Sequence, residues 1–333
     1  MSLLYESRRL VIAGASSLLG TELKSLLEES RLATWDSRLV DEEIAAGILT
    51  EAAGKAVVIQ PVEGSAFSKA ALIFFTGSEK FTASNLDFAT HSGATVIDLS
   101  GATAGRSTTP WFGGSDALAR GAGSGPGRLF FIPSAAAEAI AKLALALTPL
   151  GLKNLTVVAF QPVSGADKPG IEELETQTGQ LLSFQSLGKQ LFDAQIAFNL
   201  LDRFGPESMH RLSDFTSRVR KEVGASLPEG AVTPAIQVLH APVFYGTAFT
   251  ACAEFAREIG REALLAACKG AGCSVTSEDA APSNISVAGE SLLHLAPPQT
   301  DPTRPGTWWF WGAADNIRLP AWNAVQLAEK LVE

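Results

Sequence analysis

Cysteine is scarce in this chain. Cys252, Cys268 and Cys273 are the only three among 333 residues. An odd number without ligand spacing argues against a disulfide framework and against a structural zinc site. Cys268 and Cys273 flank the turn CKGAGC, and they read as buried small hydrophobes rather than as a redox pair. Histidine is nearly as sparse: the four, at positions 91, 210, 240 and 294, are scattered and form no metal pattern. No run of Lys or Arg occurs, and the net charge is −9. Such a chain has no bulk attraction for nucleic acid or an anionic membrane. No apolar run reaches the length of a membrane span, and the first residues do not read as a secretory signal. These absences predict a reduced, cytoplasmic protein with no metal, no nucleic-acid partner and no membrane partner.

The sequence is rich in apolar and turn-forming residues. It is 46% hydrophobic, with 30 Gly and 17 Pro, enough for two domains with substantial cores. The first part alternates strands and helices. RLVIAG (9–14) precedes the turn ASSLLG and the helix TELKSLLEE, with Leu23, Leu26 and Leu27 on one face. Further strands are expected at 38–40, 55–62, 70–77, 94–101 and 128–133, with a helix at 84–93 and a flexible loop at 121–127. Short turns between such elements predict a parallel sheet covered on both faces. Beyond the apolar helix at 135–147 the pattern changes. Helices at 171–185, 207–223 and 261–271 intersperse with strands at 154–165, 231–246, 247–256, 290–298 and 307–315. These predict an α+β region with an antiparallel sheet, and a closing helix at 321–333.

The turn GASSLLG sets Gly14 and Gly20 at the outer positions of G-x-x-G-x-x-G, with Ser17 in the middle. Such a turn between strand and helix lets backbone N–H groups approach a pyrophosphate. Ser17 adds a hydroxyl where the phosphate would come closest, and the alternative reading is a tight turn with Ser16 or Ser17 as helix cap. After the second strand stand Asp41 and Glu42. There an acid can hold a ribose hydroxyl and repel a 2′-phosphate, or simply begin a solvated helix.

Taken together, the segments GASSLLGTEL, VIDLSG (96–101), FQPVSGADKPGIEELETQT (160–178), AFN (197–199), PVFYG (242–246) and ADNIRLPAWNAVQLAEKL (314–331) resemble the aspartate-semialdehyde dehydrogenase family. The resemblance runs over nearly the whole chain. It implies a Rossmann-type domain at 1–134 plus a C-terminal helix at 320–333, and a dimerisation and substrate domain at 135–319. It also implies NADP-dependent, reversible reduction of aspartyl phosphate through a cysteine thioester. The cofactor residues it implies are Gly14, Ser16, Ser17, Gly20, Thr76, Gly77 and Asn316, for NADP or NAD.

The chain departs from that family at its chemistry. The family's nucleophile stands in N-P-N-C-[ST]; here the run is Ile132-Pro133-Ser134-Ala135-Ala136, and Ala135 takes the cysteine position. The family's histidine position is Thr247, after PVFYG, and the carboxylate-binding arginine position is His240. The phosphate-binding arginine aligns with Ala104, two residues before Arg106, and a Lys/Glu pair aligns with Asp214 and Arg218. Gln161 keeps the family's amide. A methyl group cannot attack an acyl phosphate, and threonine does not titrate near neutral pH. RLPAW (318–322) replaces a segment near the nicotinamide, and Pro320 stiffens it.

The expectation is a non-catalytic, dimeric binding or regulatory member, with a homodimer or a mixed dimer with an active paralogue as partner. The alternative is an oxidoreductase of altered chemistry, its pocket lined by Ser134, Gln161, His240 and Thr247. The strand Trp308-Trp309-Phe310-Trp311 would pack one face on helices and offer the other to a second subunit.

Overall fold

A computed structural model describes residues 8–42, 47, 49–52, 55–106, 108–113 and 128–333. The expected loop at 121–127 lies outside the described residues. Two compact units are present, Met1–Ser134 with Pro320–Glu333, and Ala135–Leu319.

The first unit contains β1 (Arg9–Ala13), α1 (Leu18–Glu28), β2 (Asp36–Asp41), β3 (Leu49–Ala52), β4 (Lys55–Val58), β5 (Gln60–Pro61), β6 (Leu72–Phe75), α2 (Glu79–His91), β7 (Thr95–Asp98), β8 (Thr109–Pro110) and β9 (Leu129–Phe131). Seven strands form one sheet in the order β5-β2-β1-β6-β7-β9-β8. Every pairing in it is parallel. All four residues of β6 and of β7 are buried, because strands covered on both faces have no polar side to show. Alternate residues divide between two cores. Leu10, Ile12, Leu72 and Phe74 pack with Leu23, Leu26 and Leu27 of α1 and with Ala321, Val325 and Ala328 of the C-terminal helix. Val11, Ile73 and Phe75 pack with Phe81 and Leu86 of α2. The single strand expected at 55–62 is divided. Lys55–Val58 pairs back on β3 in a separate ribbon, and Gln60–Pro61 joins the outer edge beside β2, where a proline without an N–H is tolerated.

The second unit contains α3 (Ala135–Leu147), β10 (Leu152–Gln161), α4 (Asp167–Leu182), α5 (Leu212–Ser226), β11 (Ala235–His240), β12 (Thr247–Phe255), α6 (Arg261–Gly270), β13 (Ser274–Val275), β14 (His294–Leu295), β15 (Gln299–Thr300), β16 (Thr307–Ala314) and the start of α7 (Arg318–Val332). The sheet runs β11-β10-β12-β16-β14-β13, with β15 beside β16. It is mixed rather than purely antiparallel. β11 lies parallel to β10, whereas β12 is antiparallel to β10 and β16 to β12. The chain between β10 and β11 carries α4 and α5, long enough for a crossover, and β10 then separates β11 from β12.

The period-two pattern decides the two faces of this sheet. Leu155, Val157, Ala159, Val238, Phe249, Ala251, Trp308 and Phe310 pack against α3, α5 and α6. Val158, Phe160, Thr250, Cys252, Trp309 and Trp311 are on the other face, where Trp309 and Trp311 remain 42% and 37% exposed.

Candidate functional site

The two units place their candidate residues separately. In the first, Gly14 adopts φ +91°, and a Cβ there would lie 2.2 Å from the Gly77 nitrogen. A Cβ on Gly20 would lie 2.5 Å from the Gly14 carbonyl oxygen, and one on Gly77 would lie 2.9 Å from the Phe81 ring. All three glycines are therefore demanded by the close approach of the β1–α1 and β6–α2 turns.

The polar groups of this turn face inward. Ser17 is the N-cap of α1, its hydroxyl oxygen accepting the Gly20 N–H at 2.9 Å. The same hydroxyl lies 2.8 Å from the Gly14 carbonyl and 3.0 Å from the Thr76 carbonyl, either of which can accept its proton. Thr76 donates its hydroxyl to the Gly14 carbonyl at 2.9 Å. The N–H groups of Gly14 and Ala15 both point to the Val40 carbonyl, and that of Ser17 points to the Gly14 carbonyl. Ser16 donates its N–H to Asp41 Oδ2 at 2.7 Å. Asp41, at the end of β2 rather than at a helix start, also accepts the Glu42 N–H through Oδ1.

Farther along the same sheet, Asp98 is fully buried. Its carboxylate accepts the N–H and hydroxyl of both Ser100 and Thr103 at 2.6–2.8 Å. That loop closes over Ala104, also fully buried, and leaves Arg106 exposed.

In the second unit the strand ends gather Gln161, His240 and Thr247. Gln161 is the register partner of His240, and Phe160 that of Ala248, the neighbour of Thr247. All three side chains belong to the alternation that faces the helices. Gln161 lies over Gly165, where a Cβ would come within 1.7 Å of its Nε2. His240 is 1% exposed. Its ring lies 6.4 Å from that of Phe192 and 5.6 Å from that of Phe204, and Nε2–H donates to the Ile196 carbonyl at 3.2 Å. Burial pushes its pKa down, against a smaller upward effect of that hydrogen bond. A neutral imidazole with its donor engaged is a packed structural side chain, and it cannot replace a guanidinium as a carboxylate clamp.

Asn316 accepts the Gly246 N–H at 2.8 Å and donates to Ser164 Oγ at 3.0 Å, bracing the chain just before Thr247. On α5, Arg218 pairs with the fully buried Glu222 at 2.8 Å, while Asp214 is exposed. Ala135, Ala136 and Ala137, the head of α3, are buried in the core with Ile140 and Leu143. One turn on, Glu138 and Lys142 form an ion pair at 2.7 Å with side chains 0% and 3% exposed.

None of the cysteines is poised as a nucleophile. Burial pushes the Cys268 thiol up to about 12 and the Cys273 thiol up to about 11. Cys252, on the open sheet face, is also raised, first by desolvation and then by Glu254. A raised thiol pKa leaves little thiolate at neutral pH. Among the described residues no group of His, Cys, Asp and Glu could hold a metal ion, and no helix is long and apolar enough to cross a membrane.

Residues 143–319, more than half of the chain, match the family described as "Semialdehyde dehydrogenase, dimerisation domain". The chain belongs to the semialdehyde dehydrogenase family. It is 28% identical over 331 residues to a USG-1 protein homolog of Azotobacter vinelandii, covering 97% of each chain. It is 30% identical over 199 residues to an aspartate-semialdehyde dehydrogenase of Rickettsia typhi, covering 57% of this chain and 59% of that one. In structure it is similar to a probable aspartate-semialdehyde dehydrogenase from Pseudomonas aeruginosa, with a TM-score of 0.90 and 27% identity over 98% of this chain and 99% of that one. The parallel sheet, the second sheet and the C-terminal helix are thus the semialdehyde dehydrogenase architecture.

Proposed function

We propose that this chain is a non-catalytic member of the semialdehyde dehydrogenase family, a dimeric binding or regulatory protein that does not reduce an acyl phosphate. The observation that carries this reading is the head of α3, where three buried alanines occupy the strand-to-helix junction. Nucleophilic catalysis there needs a thiolate, a proton-transfer group and a clamp for the substrate's charges. Ala135, Thr247 and His240 supply none of these, since His240 is buried neutral beside the Phe192 and Phe204 rings. Gln161 alone of the family's polar set remains, and one amide does not make an acyl-transfer site.

The first unit does not fit NADP. The N–H groups of residues 14 to 17 are all engaged within the protein, and the Asp41 carboxylate is bonded to one of them. A 2′-phosphate near that carboxylate would be repelled. NAD, which lacks the phosphate, meets no such repulsion.

A homodimer is supported by the open sheet face, where Phe160 and Trp311 sit 6.3 Å apart beside the exposed Trp309. Bulky aromatics on a face without helices are typical of buried subunit interfaces. The apolar groups there are the natural contact for a second copy.

The purified protein should be sized in solution, assayed for phosphate-dependent oxidation of aspartate semialdehyde with each nicotinamide cofactor, and titrated with NADP and NAD by calorimetry. The expected results are a dimer, no turnover above the blank and no binding of NADP. Turnover with either cofactor overturns the non-catalytic reading.

A further inference from the structure

On the second unit a cavity of about 570 Å³ opens between the 202–206 segment, the first turns of α5 and the strand β11. Its walls carry Arg203, Arg211 and Arg220 against one acid, Asp202. Three positive charges against one negative leave +2, gathered in a chain whose net charge is −9.

The partners of these groups separate the committed from the available. Arg203 holds Asp202 with two bonds, Nε at 3.0 Å and Nη2 at 2.7 Å. Arg220 donates one Nη2–H to the Ile236 carbonyl at 2.6 Å and keeps its other N–H groups. The Arg211 guanidinium has no hydrogen-bond or ion-pair partner among the described residues, and the Gln237 side-chain amide has none either. The Thr216 and Ser217 hydroxyls donate back to carbonyls of their own helix, so recognition falls to the guanidinium groups and the amide. Asp202 answers Arg203 alone, and a bound anion would answer Arg211 and Arg220 through the planar N–H forks of arginine.

We propose that this cavity is a binding site for a small multivalent anion, a molecule bearing phosphoryl or carboxylate groups. Its volume exceeds that of a single phosphate and matches a ligand the size of a phosphorylated metabolite. Arg211 is the principal contact, Arg220 adds its remaining N–H groups, and Gln237 binds a neutral part of the ligand. The site owes nothing to the nicotinamide turn or to the head of α3, and its test is independent of both.

The full-length protein is titrated with sodium pyrophosphate and, separately, with citrate, at a constant ionic strength of about 0.15 M set with sodium chloride. Calorimetry and the melting temperature are the readouts. The expected result is saturable binding of at least one of the two at one site per chain, with a rise in melting temperature that sodium chloride does not reproduce. Pyrophosphate alone identifies a phosphoryl ligand, citrate alone a carboxylate ligand, and both together a site that reads charge. Arg211→Ala and Arg220→Ala, both at exposed positions, should each weaken binding about tenfold or more, with partial recovery in Arg211→Lys. The exposed Arg257 on another surface supplies the control, and Arg257→Ala should leave binding unchanged. Failure of both anions to bind, or an equal loss in Arg257→Ala, overturns the proposal.

Discussion

The β1–α1 turn and the head of α3 invite opposite conclusions when read as motifs. The turn has glycines at the outer positions of a phosphate-binding loop, and the helix head carries three alanines and no nucleophile. Their packing explains why the two differ in what they reveal. Gly14 and Gly20 are fixed by close backbone contacts and Gly77 by the Phe81 ring, so they would persist whether or not a cofactor bound. Ala135 stands in an apolar cluster that needs a small residue but not a reactive one. A glycine in the turn therefore says little about ligand, whereas three alanines at the helix head offer no group that could attack a substrate.

Behind that helix head lies the largest expected effect. Lys142→Ala would remove the cation that faces the buried Glu138 carboxylate, at a cost of about 3–5 kcal/mol in urea unfolding. Replacing both, Glu138→Leu with Lys142→Met, should recover most of that loss. If Lys142→Ala alone is harmless, the head of α3 is not the rigid apolar element described.

Gly14→Ala tests the turn. It forces φ +91° on a side chain and drives Cβ into Gly77, so a loss of about 3 kcal/mol is expected in the same measurement. Tolerance of this substitution would return the glycine to the role of a ligand contact and undo the contrast.

The smallest effect is expected from Ala135→Cys. Stability should change by about 1 kcal/mol or less, the cost of one added atom in a packed site. Semialdehyde oxidation should stay at the blank, because His240 and Thr247 still lack the needed functions. Appreciable turnover from this one change would show the rest of the acyl-transfer site intact.

Much of the fold was legible from local pattern. The short apolar runs at 9–14, 70–77 and 94–101 and the amphipathic spacing of Leu23, Leu26 and Leu27 are signals of parallel strands and covering helix, since each is dictated by residues close in sequence. The WWFW segment likewise divides its tryptophans between two faces, as alternation requires. Strand direction was not legible in that way. That β11 runs parallel to β10 depends on how α4 and α5 carry the chain around, a long-range choice that no local period records. Helix starts were blurred for a related reason: α5 begins at Leu212, with residues 202–211 held instead by the aromatic contacts of Phe192, Phe204 and His210.

At the candidate site, the residue types could be read position by position, but their surroundings could not. That Asp41 turns back onto the Ser16 N–H, and that His240 packs beside Phe192 and Phe204, arise from contacts across 25 residues and more. The Glu138–Lys142 pair had one available signal, a Glu and a Lys four residues apart on an otherwise apolar helix. The arginine cavity had none, because Arg203, Arg211 and Arg220 form no run and meet only through folding.

The pairing along β11 has a further consequence for life at high protein concentration. This strand is the last in its sheet, and a bare last strand is a template on which another chain can add itself. Here Leu201 forms an isolated antiparallel bridge with His240, and Arg220 covers the Ile236 carbonyl. A stub of extended chain closes one end of the row and a cation guards the other. The outermost strand is thereby denied to strangers, which guards the protein against uncontrolled strand-to-strand stacking.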